Sequence, residues 1–154
     1  MARRNTLRLE SFLPYRLSVL TNVVSTAIAA SYARRFKLSI PEWRVLAVLG
    51  QTPELSAAQV SLRTAMDKVA VSRAVASLLR TRRVSRAISA SDRRCSALSL
   101  TAAGYQVYAE VVPVARSYER ALLRGLRLND RRALDRALRL LLRRASVIGP
   151  AHAN

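Results

Sequence analysis

The residues with the plainest chemical purpose lie between Asp67 and Arg80. The run Asp-Lys-Val-Ala-Val-Ser-Arg-Ala-Val from Asp67 places Val71, Val75 and, one turn on, Leu78 at helical spacing, so one stripe faces a core. The other faces carry Lys68, Val69, Ala70, Ser72, Arg73 and Ser77, with no acid after Asp67. Arginine and lysine bond phosphates or guanine edges, hydroxyls bond phosphates or base edges, and small apolar groups touch thymine methyls. A helix of this composition therefore suits the major groove of a duplex, with Arg73 and Lys68 as the principal contacts. Ser56, at the head of the preceding short helix, joins them as a candidate for duplex contact.

Several elements must hold that helix in place. Ser56 caps a short helix to about Arg63, a break follows at Ala65-Met66-Asp67, and the second helix runs from Lys68 to Arg80. Val84–Ile88 and Ala97–Leu100 then alternate as strands do, and the polar turn between them brings Asp92, Arg93 and Arg94 to its tip. Thr101 caps a long helix to about Leu126, expected to kink at Pro113. Upstream, Phe12 to Phe36 is one long helix with a broad apolar surface. Ser39 caps a shorter helix with Pro41 as its first residue, running from Glu42 to Gln51 and largely apolar at Trp43, Leu46, Val48 and Leu49. Gly50 to Leu55 is a connector. The last helix starts at Asn129 or Asp130 and reaches about Ser146, with Leu134, Leu138, Leu141 and Leu142 on one face and Arg131, Arg132, Arg136, Arg139 and Arg143 around the rest. Such a helix can bury its leucines against another chain while arginine stems cover the rim.

Composition bounds the function classes. The 154 residues suffice for one domain with a real core or a small domain with a dimerisation layer, and 51% hydrophobic residues argue against disorder. A net charge of +18 points to a polyanionic partner. Because all basic residues but Lys37 and Lys68 are arginine in an Ala- and Leu-rich chain, codon usage could contribute to that total. The placement of charge on the helix and turn carries more weight. With one cysteine and one histidine, the chain has no basis for a disulfide framework, a Cys/His zinc site or a histidine-dependent triad. Paired carboxylates and a glycine-rich phosphate cradle are also missing, so no enzyme, no metal and no cofactor is expected. A basic start before Val19–Ala30 has the outline of a signal peptide. Glu10 before it, and Arg16, Thr21, Asn22, Ser25 and Thr26 within or beside it, argue against export and more strongly against a membrane span, so a cytoplasmic location is expected.

The ordered set Pro41-Glu42-Trp43-Arg44-Val45-Leu46, the Asp67–Val75 helix, Asp92-Arg93-Arg94 and Leu100-Thr-Ala-Ala-Gly104 resembles the MarR family of transcriptional regulators, from about Leu9 to Arg144. The resemblance implies a mainly α, α+β winged helix-turn-helix fold of about six helices with a short β-hairpin wing. It divides the chain into an N-terminal dimerisation helix (1–36), a DNA-binding unit (37–100) and C-terminal dimerisation helices (101–154). The first and last two helices of two protomers would interlock, so the homodimer would meet a pseudo-palindromic operator. In the wing, Arg94 would reach the minor groove while Asp92 supports the turn, and Arg93 could take a phosphate instead. A ligand cavity between the dimerisation helices and the reading unit is implied as well. Tyr15, Arg16, Asn22, Trp43 and Arg44 are its candidate lining, with Arg16 suited to pair an anion and Trp43 equally readable as core. The Pro41–Leu46 run looks like that of MarR-type regulators of aromatic-compound catabolism. One departure stands out: many members have a glycine after the reading helix where this chain has Arg82-Arg83, so that turn must be built differently or carry strain. Cys95 reads as an incidental thiol, since the family's peroxide sensors carry their reactive cysteine near the amino terminus.

The expectation is a sequence-specific, double-stranded DNA-binding regulator, a repressor released by a small aromatic or anionic effector. The alternative is a weakly specific architectural DNA-binding protein with no working effector site. An RNA-binding protein fits the charge but lacks an exposed aromatic platform.

Overall fold

The computed structural model describes residues 6–88 and 96–148. A 3-10 turn at Leu9–Ser11 leads into α1 (Leu13–Phe36), followed by α2 (Ile40–Gln51), α3 (Ala57–Thr64), α4 (Lys68–Arg80), β1 (Val84–Ile88), β2 (Ser96–Leu100), α5 (Ala102–Leu122) and α6 (Leu128–Ile148). These residues fall into two compact units, 1–115 and 116–154. The expected winged helix-turn-helix is therefore observed. Among the described residues no helix is long and apolar enough to cross a membrane.

Local chemistry sets the helix ends. Ser39 accepts from the Glu42 amide while Glu42 reaches back to the Ser39 amide, and Ser56 and Gln59 do the same at α3. Pro41 is thus the second residue of α2 rather than the first, with Ile40 ahead of it. Asp67 caps α4 by accepting from the Ala70 amide at 2.8 Å, and Thr101 caps α5 by accepting from the Gly104 amide at 3.1 Å. α5 runs unbroken through Pro113. It stops at Leu122, one turn short of the expected end, where Gly125 takes φ +91° and the Arg131 guanidinium donates to the Leu123 and Leu126 carbonyls.

The core of the first unit draws on every element from α1 to the front of α5. Val45, Leu46 and Leu49 of α2, Val60 of α3, and Val71, Ala74, Val75 and Leu78 of α4 meet Val84, Leu98 and Leu100 of the hairpin. Tyr32 of α1 and Val107 and Val111 of α5 complete it. The hairpin is antiparallel, with Val84 opposite Leu100 and Arg86 opposite Leu98. Leu55 adds a one-residue bridge to Leu98, exchanging both backbone bonds at 2.8 and 3.2 Å, so the connector after α2 is also the sheet's third edge.

Arg83 joins these elements. Its amide donates to the Leu78 carbonyl at 2.9 Å and the Arg82 amide donates to Leu79 at 3.0 Å, the paired bonds of a Schellman turn closing α4. Arg82 occupies the left-handed position of that turn at φ +55°, a role usually given to glycine. The Arg83 carbonyl accepts from the Thr101 amide at 3.1 Å, and its guanidinium donates to the Phe36 carbonyl at the end of α1 at 2.6 Å. A Cβ on Gly104 would lie 2.0 Å from that same Arg83 carbonyl oxygen, so only glycine lets α5 begin here. Glu42 is the buried charged residue of this region. Burial alone would raise its pKa, but hydrogen bonds from Ser77 and Ser39 and the nearby Arg83 charge hold it below the ordinary value of 4.5.

Substitutions at neighbouring positions should act in opposite directions. Arg82→Gly relieves a left-handed side chain and should raise stability by about 0.5–1 kcal/mol after the unfolded-state entropy of glycine is counted. Gly104→Ala forces α5 off the Arg83 peptide and should cost about 1–3 kcal/mol or more; urea unfolding of both variants checks the pair. Glu42→Gln should cost about 1.5–3 kcal/mol near neutral pH. Because the folded pKa of Glu42 is depressed, its contribution is complete above the unfolded value and fades as pH falls through the folded one. The gap between wild type and Glu42→Gln in unfolding free energy should therefore narrow on acidification, and a gap constant down to pH 3 would contradict this assignment.

Candidate DNA interface

The buried stripe of α4, Val71, Ala74, Val75 and Leu78, fixes which side chains remain outside. Lys68, Val69, Ser72 and Arg73 are exposed, with Val69 58% accessible despite being apolar. A branched apolar side chain left in water at the start of a cationic helix is the kind of group that meets a thymine methyl. Ala76 and Arg80 share this exposed face. Sequence reasoning passed over both, although Arg80 follows Arg73 by two helical turns and that spacing alone would have found it.

Two expected contacts sit differently. Ala70 and Ser77 are half-buried and line, with Ser39, Pro41, Glu42, Arg73 and Ala74, a cleft of about 380 Å³ between α2 and α4. The Ser77 hydroxyl bonds the Glu42 carboxylate and accepts from the Arg80 guanidinium at 3.2 Å. Its hydrogen-bonding capacity is thus used within the fold, and Ser77 organises the flank of α4.

On the other flank, Lys68, Ser72 and Val75 face Ala57 and Ala58 of α3 and Arg86 of β1 across a cleft of about 300 Å³. Ser56 is half-buried and spends its hydroxyl on the Gln59 amide at 3.2 Å, while its own amide donates to the Gln59 side chain at 2.8 Å. Arg86, exposed on β1 and opposite Leu98, adds a cation next to α4 that the hairpin register reveals. The expected wing residues Asp92, Arg93 and Arg94, and Cys95 with them, lie outside the described residues.

The expected ligand residues fall into two groups. Trp43 is half-buried, with its ring 5.6 Å from that of Tyr32 and 6.2 Å from that of Tyr108. Arg44, in the next position, donates to the Ser25 hydroxyl at 3.3 Å. Burial pushes the Tyr32 phenol up to about 12, partly opposed by the Arg44 charge. Tyr15, Arg16 and Asn22 lie farther toward the start of α1, where their side chains are exposed, and none of the five lines the two clefts described above. Tyr108, which closes the aromatic stack over Gly50, lies on α5, a helix that no local pattern connects with α2. Among the described residues no cluster of His, Cys, Asp and Glu could hold a metal ion.

A sequence model of the MarR family matches residues 36–94, which span α2 to the hairpin. No curated protein matches the sequence. Among solved structures, a MarR family transcriptional regulator from Silicibacter pomeroyi DSS is 28% identical with a TM-score of 0.77, over 88% of this chain and 90% of that one. FabT from Streptococcus pneumoniae, solved in complex with DNA, is 24% identical with a TM-score of 0.67, over 84% and 92%. PcaV from Streptomyces coelicolor, solved with its natural ligand, is 18% identical with a TM-score of 0.74, over 89% and 96%. The matched segment covers the helix pair whose outer face is cationic and whose inner face is core, and the likenesses extend the same architecture over most of the chain. Over residues 36–94 the chain is thus similar to the MarR family, and its fold over most of its length is that of solved MarR family transcriptional regulators.

Proposed function

We propose that this regulator is a homodimeric repressor of a pseudo-palindromic operator, released by a small aromatic or anionic effector. The observation that carries the DNA reading is the division of α4 into a fully buried stripe and an exposed face bearing Lys68, Val69, Ser72 and Arg73. Arg73 takes a guanine edge or an adjacent phosphate, Lys68 and Arg80 take phosphates, and Val69 takes a thymine methyl. Ala70 and Ser77 support the inner flank, and Ser56 holds the start of α3 near the backbone. Arg94 extends the contact into the minor groove with Asp92 as support of the turn, and Arg93 takes a phosphate.

Dimerisation is supported by apolar surface that a lone chain leaves in water. Leu13, Leu17, Val19, Leu20 and Val23 of α1 are exposed, as are Leu134, Leu138, Leu141 and Leu142 of α6. An exposed apolar stripe of this kind on each helix marks an association surface. The effector reading is supported by the chemistry of Trp43 and Arg44, an aromatic ring beside a guanidinium, with Tyr15, Arg16 and Asn22 as further contacts, and by the natural ligand in the PcaV structure. Release needs an effector that binds better to a dimer whose reading helices are wrongly spaced. The +18 charge favours a second reading, weakly specific DNA coating, in which operator and scrambled duplex bind alike at every salt concentration.

Arg73→Ala should weaken operator binding by about 1–3 kcal/mol and relax preference at one position in each half-site. Selection from a randomised operator library checks this, and unchanged affinity and preference would remove Arg73 from the interface. An aromatic acid that raises the melting temperature of wild type should shift Arg44→Ala less and should dissociate the operator complex. An effector that stabilises both proteins equally would move the site away from Arg44.

A further inference from the structure

The reading face is one of two concentrations of positive charge. α6 carries Arg131, Arg132, Arg136, Arg139, Arg143 and Arg144 against Asp130 and Asp135. With about 3.6 residues per turn, Arg132, Arg136, Arg139 and Arg143 fall within roughly 60° of arc, forming a row about 16 Å long. Leu134, Leu138 and Leu141 project from the opposite side of the same helix. Asp135 pairs with Arg139 at 2.5 Å, and Arg131 is held by the Leu123 and Leu126 carbonyls. Arg132, Arg136 and Arg143 are exposed and make no ion pair among the described residues.

Like charges at these spacings weaken a helix, and an anionic partner along the row removes that repulsion. We propose that the Arg132–Arg143 row of α6 is a second contact surface for the phosphate backbone of double-stranded DNA, separate from the reading helix. A row of this length can reach several successive phosphates of one strand. Guanidinium groups bind phosphate oxygens in a fork that lysine cannot reproduce, and this row is entirely arginine. A bilayer fits less well: an interfacial helix must sink its apolar face, and in the proposed dimer the leucines of that face are already covered. The inference rests on the proposed dimer only in that a second copy of the chain covers the leucines, leaving the arginines outward.

The test uses the full chain with its reading helix disabled by Lys68→Ala and Arg73→Ala. That protein should still bind a scrambled duplex at low salt. Adding Arg132→Gln, Arg136→Gln and Arg143→Gln should lower its affinity about tenfold or more and reduce the log–log salt slope by about 2–3, at roughly 0.9 per phosphate neutralised. Lysine at the same three positions should restore most of the slope, which a purely structural role for the arginines would not produce. Unchanged affinity and slope in the glutamine variant would overturn the proposal. So would failure of the lysine variant to recover the salt slope, or a loss confined to vesicles of anionic lipid with duplex binding intact. Operator binding by the wild type, measured alongside, reports separately on the reading helix.

Discussion

Arg83 is the residue on which the geometry of the reading unit depends. Its amide ends α4, its carbonyl starts α5, and its guanidinium holds the last carbonyl of α1 while facing the buried Glu42 of α2. Main-chain and side-chain bonds from one residue thus set the angle at which α4 leaves the core and the point at which the hairpin begins. Each bond alone is modest, about 1 kcal/mol net for a neutral pair and somewhat more for a charged one. Together they are directional, and direction is what a helix needs if it is to present its outer face to a groove. The left-handed Arg82 and the glycine at 104 are consequences: the chain must reverse within two residues, and α5 must approach a peptide too closely for any Cβ.

What could be read in the sequence was local. The stripe of Val71, Val75 and Leu78, the caps at Ser39, Ser56 and Thr101, and the alternation in β1 and β2 each depend on a few consecutive residues, and all appear in the structure. Arg82-Arg83 was legible as an irregular turn because glycine was missing from it. Its wiring was not, since the partners Phe36, Leu78 and Thr101 are brought together only by folding. The pairing of Leu55 with Leu98 escaped for the same reason, a single residue having no periodicity to betray it. Ser77 looked like an outward hydroxyl because helical spacing places it at the edge of the polar arc. Its commitment to Glu42 depends on how α2 crosses α4, which no one-dimensional pattern records. The end of α5 was misjudged by a turn because Leu123 and Leu126 continue an apolar pattern that Gly125 and the Arg131 side chain interrupt.

Charge and apolar surface divide the work between the two units. In the first, burial is nearly complete along the inner side of α4, so the cationic groups of that helix stand on its outer face. In the second, α6 has no buried residue, so its leucine stripe stands in solvent in the single chain and is the surface that the proposed dimer would cover. Under the proposed function, affinity would depend on salt through arginine and specificity on a few side chains of one short helix.

Guanine methylation interference on the bound operator probes that presentation most directly, because the methyl group at N7 stands in the major groove. If α4 lies there as the Arg83 joint directs it, interference will appear at guanines in two clusters related by a dyad and separated by about one helical turn, roughly 34 Å. Interference spread evenly along the duplex, or absent while phosphate ethylation still blocks binding, would mean that the protein grips the backbone and that α4 does not read sequence.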